Sequence, residues 1–224
     1  MPNKPVVRVV FGLARTGTSL LMQMLDAAGV ECTGRYPAFE DTENFSPLRF
    51  DARLETWRSL DGKALKLLDP QQYLRPETRQ RRYHSDLPSP DNIDYRVVMT
   101  SRRPRQTAIS TLKFLQWIGA LPLESGSPSP SSVAQFEHGI QRDMKVLPDL
   151  IKRQTGIDPV VIPFEDVIAA PHAAATVLAE AMDLPMSRTA DMAAVVKHRS
   201  SDVYRGMIET ELLAERMGPT FLQA

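Results

Sequence analysis

The chain has 224 residues, 42 % hydrophobic and 24 % charged, a globular composition long enough for one domain (1–224) with a sizeable core. Its 27 basic and 27 acidic side chains give a formal net charge of zero, which argues against a bulk nucleic-acid binder; an anion site has to be assembled locally, from a few arginines and backbone amides. A single cysteine, Cys32, excludes an internal disulfide framework and, with only four histidines, a Cys/His metal site, and it suits a reducing compartment.

The N-terminal residues carry no apolar segment of the signal-peptide kind, and no run approaches the roughly 18 apolar residues of a membrane helix. The expectation is a cytoplasmic, soluble protein with no membrane partner. Val6 to Phe11 is short, apolar and β-branched, and Gly12 ends it, as in a buried parallel strand. From Thr18 the period changes. Leu20, Leu21, Met24, Leu25 and Ala28 share one helical face, and Gly29 supplies a stop. Val30 to Cys32 reads as a short second strand. Residues 36–47 are polar and turn-rich and carry Glu40, Asp41 and Glu43, while 49–60 reads as a helix. Ala64 to Leu68 is a further apolar run, stopped by Asp69-Pro70. The partly basic, proline-containing stretch 71–94 has the character of a mobile surface segment or lid.

Tyr95 to Thr100 is the next strand. Pro104 then stands where the first turn of a helix tolerates it, and Ala108, Ile109, Leu112 and Leu115 follow at helical spacing. Residues 121–132 are rich in Pro, Ser and Gly and read as a loop. A helix over about 133–154, a strand at Val160 to Ile162 and a helix over 171–182 follow, and the tail has helical patches without a strong strand. Strands alternating with helices predict an α/β fold of three layers, a central parallel sheet flanked by helices, opening with a P-loop unit. No internal repeat or linker divides the chain.

Gly12, four residues, Gly17 and then Thr18-Ser19 match the spacing G-x-x-x-x-G-K-[ST], except that Thr18 stands where the lysine belongs. A cation, Arg15, lies inside the loop instead. Gly17 permits close backbone approach, the amides of residues 16–19 are expected to face an anion from a helix N-terminus, and Thr18 and Ser19 add hydroxyl donors. A kinase or NTPase balances a triphosphate with the loop lysine and Mg²⁺. Here the lysine is missing, no Walker B carboxylate stands out after an apolar strand, and no metal is expected. Taken alone, the spacing also fits a plain strand-to-helix turn that uses glycines for geometry.

A second motif follows the strand at 95–100: Ser101-Arg102-Arg103-Pro104-Arg105, with Ser110 eight residues beyond Arg102. Arg102 at the strand end and Ser110 two turns into the helix can converge on one anion. Three arginines in four residues are costly unless something negative binds there, although Arg103 and Arg105 also fit a solvated basic turn.

Together these segments resemble the sulfotransferases that use 3′-phosphoadenosine-5′-phosphosulfate. In that family P-[KR]-[ST]-G-T-[TS] holds the 5′-phosphosulfate, and Ala14-Arg15-Thr16-Gly17-Thr18-Ser19 matches it with Ala for Pro. A segment R-[DN]-P-R-x-x-x-x-S after a strand holds the 3′-phosphate, and Arg102-Arg103-Pro104-Arg105 to Ser110 matches it with Arg103 for the acidic or amide residue. Weaker likenesses to bacterial members are Phe39-Glu40-Asp41, Gly62-Lys63-Ala64-Leu65-Lys66, Phe164-Glu165-Asp166-Val167-Ile168 with Pro171, and Val203-Tyr204-Arg205, so the resemblance runs from about residue 7 to 206.

The resemblance implies an enzyme that moves a sulfuryl group from this co-substrate to a hydroxyl or amine of a small-molecule acceptor. Arg15 stands in the place of the family's loop cation, and Thr16, Gly17, Thr18, Ser19, Arg102 and Ser110 in those of its nucleotide-binding residues. Lys66 could add a second positive charge, its alternative being a strand-end lysine in solvent. The cytosolic enzymes place a histidine two residues after a strand lysine, but Leu68 stands there, so the candidate base is Glu40, with Asp41 and Glu43 as rivals. The family's adenine-stacking tryptophan is replaced by Leu20-Leu21. Glu165-Asp166 fits a helix start better than a catalytic pair, and His84 falls in the lid stretch. The acceptor is expected to be set by 36–60 and 70–94, and homo-oligomerisation is left open. The competing readings are a P-loop small-molecule kinase and a non-catalytic nucleotide-binding module on the same fold.

Overall fold

A computed structural model describes residues 4–36, 38–39, 53–70, 87–117, 119–121 and 128–196. Four strands, β1 (Val6–Gly12), β2 (Ala64–Leu68), β3 (Asp94–Ser101) and β4 (Val160–Pro163), form a sheet in the order β2-β1-β3-β4 with every pairing parallel. Helices flank it, as the alternating sequence pattern requires, and the fold is α/β. They are α1 (Thr18–Ala27), α2 (Leu54–Arg58), α3 (Pro104–Trp117), α4 (Pro130–Thr155), α5 (Phe164–Ala169), α6 (Pro171–Ala181) and α7 (Thr189–Ala194).

The chain divides into two compact units, Met1–Arg102 with Asp143–Lys197, and Arg103–Arg142 with His198–Ala224. The first contains the whole described sheet. β1, β2 and most of β3 are apolar runs buried on both faces, whereas Val160 and Val161 of the edge strand β4 are exposed. Parallel register sets Val10 beside Lys66 on β2 and Val98 on β3, so these three share one face. That face carries the main core, in which Val10, Val98 and Ile162 pack with Leu21, Met22 and Leu25 of α1, Leu178 of α6 and Met192 of α7. On the opposite face Trp57 of α2 sets its ring edge-on to Tyr95, with centroids 5.7 Å apart, and both rings are fully buried. In the second unit Ala108 and Leu112 of α3 pack against Val133 of α4.

Differences from the sequence reading have local causes. The strand expected over Val30 to Cys32 is reduced to one bridge, Cys32 to Ala64. The Ala64 amide donates to Glu31 O and Thr33 donates to Ala64 O, and Gly34 at φ 85° then turns the chain away from the sheet. Helix α4 begins at Pro130, earlier than the expected 133, because Ser129 caps it. Its hydroxyl accepts from the Ser132 amide at 3.2 Å, and proline at the first helical position has no N–H to leave orphaned. Of the expected helix over 49–60, Leu54–Arg58 is observed and 49–52 lie outside the described residues. So do 71–86 of the lid stretch, with His84, and the tail from 197, with Tyr204 and Arg205. Among the described residues no helix is long and apolar enough to cross a membrane.

Candidate functional site

The site is built at the carboxyl ends of β1, β2 and β3, where a parallel sheet presents its loops. All the groups described first belong to the first compact unit. β1 ends at Gly12, and the turn Leu13 to Gly17 leads into α1. Gly12 is required by close approach. A Cβ there would lie 2.2 Å from Thr100 Oγ1, 2.7 Å from Thr16 Oγ1 and 2.7 Å from the Thr18 methyl. Gly17 is required by conformation as well as space, since its φ is 103° and an added Cβ would lie 2.6 Å from the Phe164 ring.

The loop is held from inside. Thr16 is fully buried; its hydroxyl lies 2.6 Å from Leu13 O and 2.6 Å from Thr100 Oγ1. Its amide donates to Leu13 O at 3.3 Å. The amides expected to face an anion therefore shrink from residues 16–19 to residues 17–19, and the Thr16 side chain is an internal strut. The amides of Gly17, Thr18 and Ser19 have no acceptor among the described residues, and Leu20 and Leu21 already donate back to Gly17 O. The first turn of α1 contains no acidic residue and no side-chain cap. Three convergent N–H groups at the positive end of a ten-residue helix fit a tetrahedral oxyanion.

Lys66 is the next component. Alternation along β2 turns it to the α1 face, and it is buried, 1 % exposed, not in solvent. β2 is an edge strand of the described sheet. Its ammonium donates to Ser19 Oγ at 3.0 Å and to Ala38 O at 2.6 Å. A buried charge without such partners would cost several kcal/mol, on the order of the effective penalty for one desolvated ion. Ser19, in accepting from Lys66, keeps its own hydroxyl hydrogen for a further acceptor.

Arg15 has left-handed backbone, φ 70°. Its carbonyl accepts from Arg102 Nη1 at 3.2 Å, and the Arg102 guanidinium lies over the Phe164 ring, 4.7 Å from its centroid. Arg102 is half-buried. On the other flank the Ala14 amide donates to Asp69 Oδ1 at 3.0 Å. Arg15, Thr16, Gly17, Thr18, Ser19, Lys66 and Arg102 are thus brought together. Ser110 belongs to the second unit, where it is buried on α3. Glu40, Asp41 and Glu43 lie outside the described residues. Glu165 and Asp166 occupy the first turn of α5, as their helix-start reading requires.

Three contributors were not singled out in the sequence. Thr100 was readable as a hydroxyl inside an apolar strand. In the sequence, Asp69 reads only as a stop beside Pro70. Phe164 lay in the Phe-Glu-Asp segment without a role of its own. Among the described residues no group of three or more His, Cys, Asp or Glu could hold a metal ion. A cavity of about 660 Å³ lies at the opposite end of the sheet, beside Val6, Asp94 and Tyr95. Its polar groups are engaged within the protein, Lys4 with Pro90 O and Tyr95 with Pro88 O.

No protein-family model matches the chain, and no curated protein matches it. Solved structures do. The chain is similar to the sulfotransferase domain from the Synechococcus PCC 7002 olefin synthase, with a TM-score of 0.50 and 12 % identity over 97 % of this chain and 96 % of that one. It is also similar to retinol dehydratase in complex with androsterone and the inactive cofactor PAP (TM-score 0.47, 15 % identity, 88 % of this chain) and in complex with retinol and PAP (0.40, 14 %, 96 %). In both cases it spans 66 % of that enzyme's length. The likeness to the olefin synthase domain shows a fold shared with a sulfotransferase domain, an α/β fold built on a parallel sheet.

Proposed function

We propose that this protein is a sulfotransferase that moves a sulfuryl group from 3′-phosphoadenosine-5′-phosphosulfate to a hydroxyl or amine of a small-molecule acceptor. The observation that carries the reading is the pairing of three amides, Gly17 to Ser19, that have no acceptor among the described residues, with a buried ammonium, Lys66, hydrogen-bonded to Ser19. That donor set fits the 5′-phosphosulfate end of the nucleotide. The resemblance of the loop and of the Arg102 segment to the family's two phosphate motifs supports the same assignment, as does the fold. The PAP named with retinol dehydratase is the chemistry this proposal carries to the present chain.

In the transfer, the bond from sulfur to the bridging oxygen breaks and a bond from sulfur to the acceptor oxygen or nitrogen forms. Negative charge grows on the bridging oxygen and the departing 5′-phosphate. Fixed cations there stabilise the transition state more than the ground state. Arg15 and Lys66 are assigned that work; arginine remains charged throughout, so Arg15 acts by charge and hydrogen bonds and not as an acid. Arg102 is assigned to the 3′-phosphate, and Ser110 joins it on the strength of the sequence motif alone. The acceptor proton needs a base, and Glu40 is assigned that role from the Phe39-Glu40-Asp41 segment.

The test is calorimetric titration with adenosine 3′,5′-bisphosphate of the wild type, Arg15→Ala and Arg102→Ala. Micromolar binding that weakens at least tenfold in both variants is expected, followed by transfer of labelled sulfate to a panel of acceptors. Absence of binding to the wild type at high micromolar ligand overturns the reading, stronger stabilisation by ATP with Mg²⁺ overturns it in favour of a kinase, and binding without turnover on any acceptor favours a non-catalytic module.

A further inference from the structure

Asp69 stands just past the end of β2 and touches the phosphate loop twice. Its amide donates to Gly12 O at 2.9 Å, one step beyond the pairing of Gly12 with Leu68, so the β1–β2 ladder reaches the first loop residue. Its side chain turns back, and Oδ1 accepts from the Ala14 amide at 3.0 Å. To do both, Asp69 adopts left-handed backbone, φ 49°. Aspartate tolerates that region better than most residues because its short side chain can bond nearby backbone. On the other flank of the loop Arg102 donates to Arg15 O at 3.2 Å. The Ala14 and Arg15 peptide groups are therefore gripped from the ends of two different strands, on either side of the left-handed turn at Arg15.

A carboxylate beside an anion-binding turn has the wrong sign of charge to help the ligand. The contribution that its two loop contacts support is geometric. We infer that Asp69 is a positioning residue of the phosphate loop: its carboxylate turns the Ala14 amide away from the anion and fixes the left-handed turn at Arg15, from which the Gly17 to Ser19 amides are presented. This rests on the anion-binding role proposed for the loop. It assigns work to a residue that lies 50 positions and more from the loop in sequence and outside both phosphate motifs.

Two readouts on the wild type, Asp69→Asn and Asp69→Ala test it: amide hydrogen exchange at Ala14 by NMR, and calorimetric affinity for adenosine 3′,5′-bisphosphate. Asparagine keeps the acceptor oxygen and removes the charge; alanine removes both. Exchange at Ala14 is expected to be slow in the wild type and the Asn variant and about tenfold faster in the Ala variant. Affinity is expected to fall about tenfold in the Ala variant and to hold at or above the wild-type level in the Asn variant. An Ala14 amide that exchanges in the wild type as fast as an open one, or an Asn variant that loses as much affinity as the Ala variant, overturns the inference. A wild type that binds no bisphosphate overturns the functional reading instead, and exchange at Ala14 still decides whether Asp69 holds the loop.

Discussion

Thr16 Oγ1 and Thr100 Oγ1 meet at 2.6 Å beneath the loop between β1 and α1, in the space that any side chain at position 12 would have to enter. The pair ties the loop to the middle strands, because Thr100 follows Met99, the register partner of Phe11. Thr100→Val should lose the hydroxyl contact and about 1 kcal/mol of stability, the net value of one buried hydrogen bond. Gly12→Ala should cost more, about 3 kcal/mol, because a Cβ 2.2 Å from Thr100 Oγ1 cannot be accommodated without moving the strand or the loop. Urea unfolding of the two variants measures both, and a Gly12→Ala protein as stable as wild type would contradict the packing described.

Gly17→Ala should damage the loop twice over. The residue sits at φ 103°, and its new methyl would press on Phe164 at 2.6 Å. A loss of about 2 kcal/mol is expected, with bisphosphate binding reduced more than stability. Adding Phe164→Ala should relieve the steric part and leave the conformational part, so the double variant recovers some stability but not the wild-type affinity. Full recovery of affinity would mean that the left-handed turn at 17 is dispensable.

Lys66→Met separates folding from binding. Methionine removes the desolvation cost of the buried ammonium but leaves Ala38 O without this donor, so a modest loss of about 1 kcal/mol is expected in urea. Affinity for adenosine 3′,5′-bisphosphate should nevertheless fall about tenfold, because the positive charge behind Ser19 is gone. The two measurements are made on one protein. Unchanged affinity would leave Lys66 a purely structural tie between Ser19 and Ala38.

Alkaline pH provides a fourth check. Burial, with a smaller push from Asp26, raises the Cys32 thiol to about 12, and burial raises the Tyr95 hydroxyl too. A group whose pKa is higher in the folded state stabilises fully below its unfolded pKa and loses that contribution as pH rises toward the folded one. Stability should therefore fall from about pH 9 toward pH 12. Cys32→Ala should make that fall shallower. Cys32 should also react slowly with thiol reagents at pH 8, since the thiolate is the reactive form. Rapid labelling of the folded protein would contradict the burial.

The features legible in the sequence are those carried by short-range patterns. Val6 to Gly12 and Asp94 to Ser101 are apolar runs ended by recognisable breaks, and the Gly12 to Ser19 spacing fixes a loop whatever surrounds it. Lys66 was half legible: the sequence leaves a second positive charge and a strand-end lysine in solvent as alternatives, and only its burial and its bonds to Ser19 and Ala38 O remove the second. Asp69, Thr100 and Phe164 were not legible as parts of the site. Each reaches the loop through strand register or a tertiary contact, and neither leaves a mark in local composition. The loss of the Thr16 amide to Leu13 O was hidden for the same reason, because it depends on how tightly the turn closes.

The amides of Gly17, Thr18 and Ser19 belong to the main chain, and no single-residue exchange short of proline deletes one of them. Under the proposed function, point changes can therefore redraw the side chains around the loop, altering which acceptor is met or how fast the group moves, while the hold on an oxyanion persists. The vulnerable positions are those that set backbone shape, Gly12, Gly17 and Asp69. Variation in chemistry is open to the side chains, and variation in grip is open only to the few residues that bend the chain.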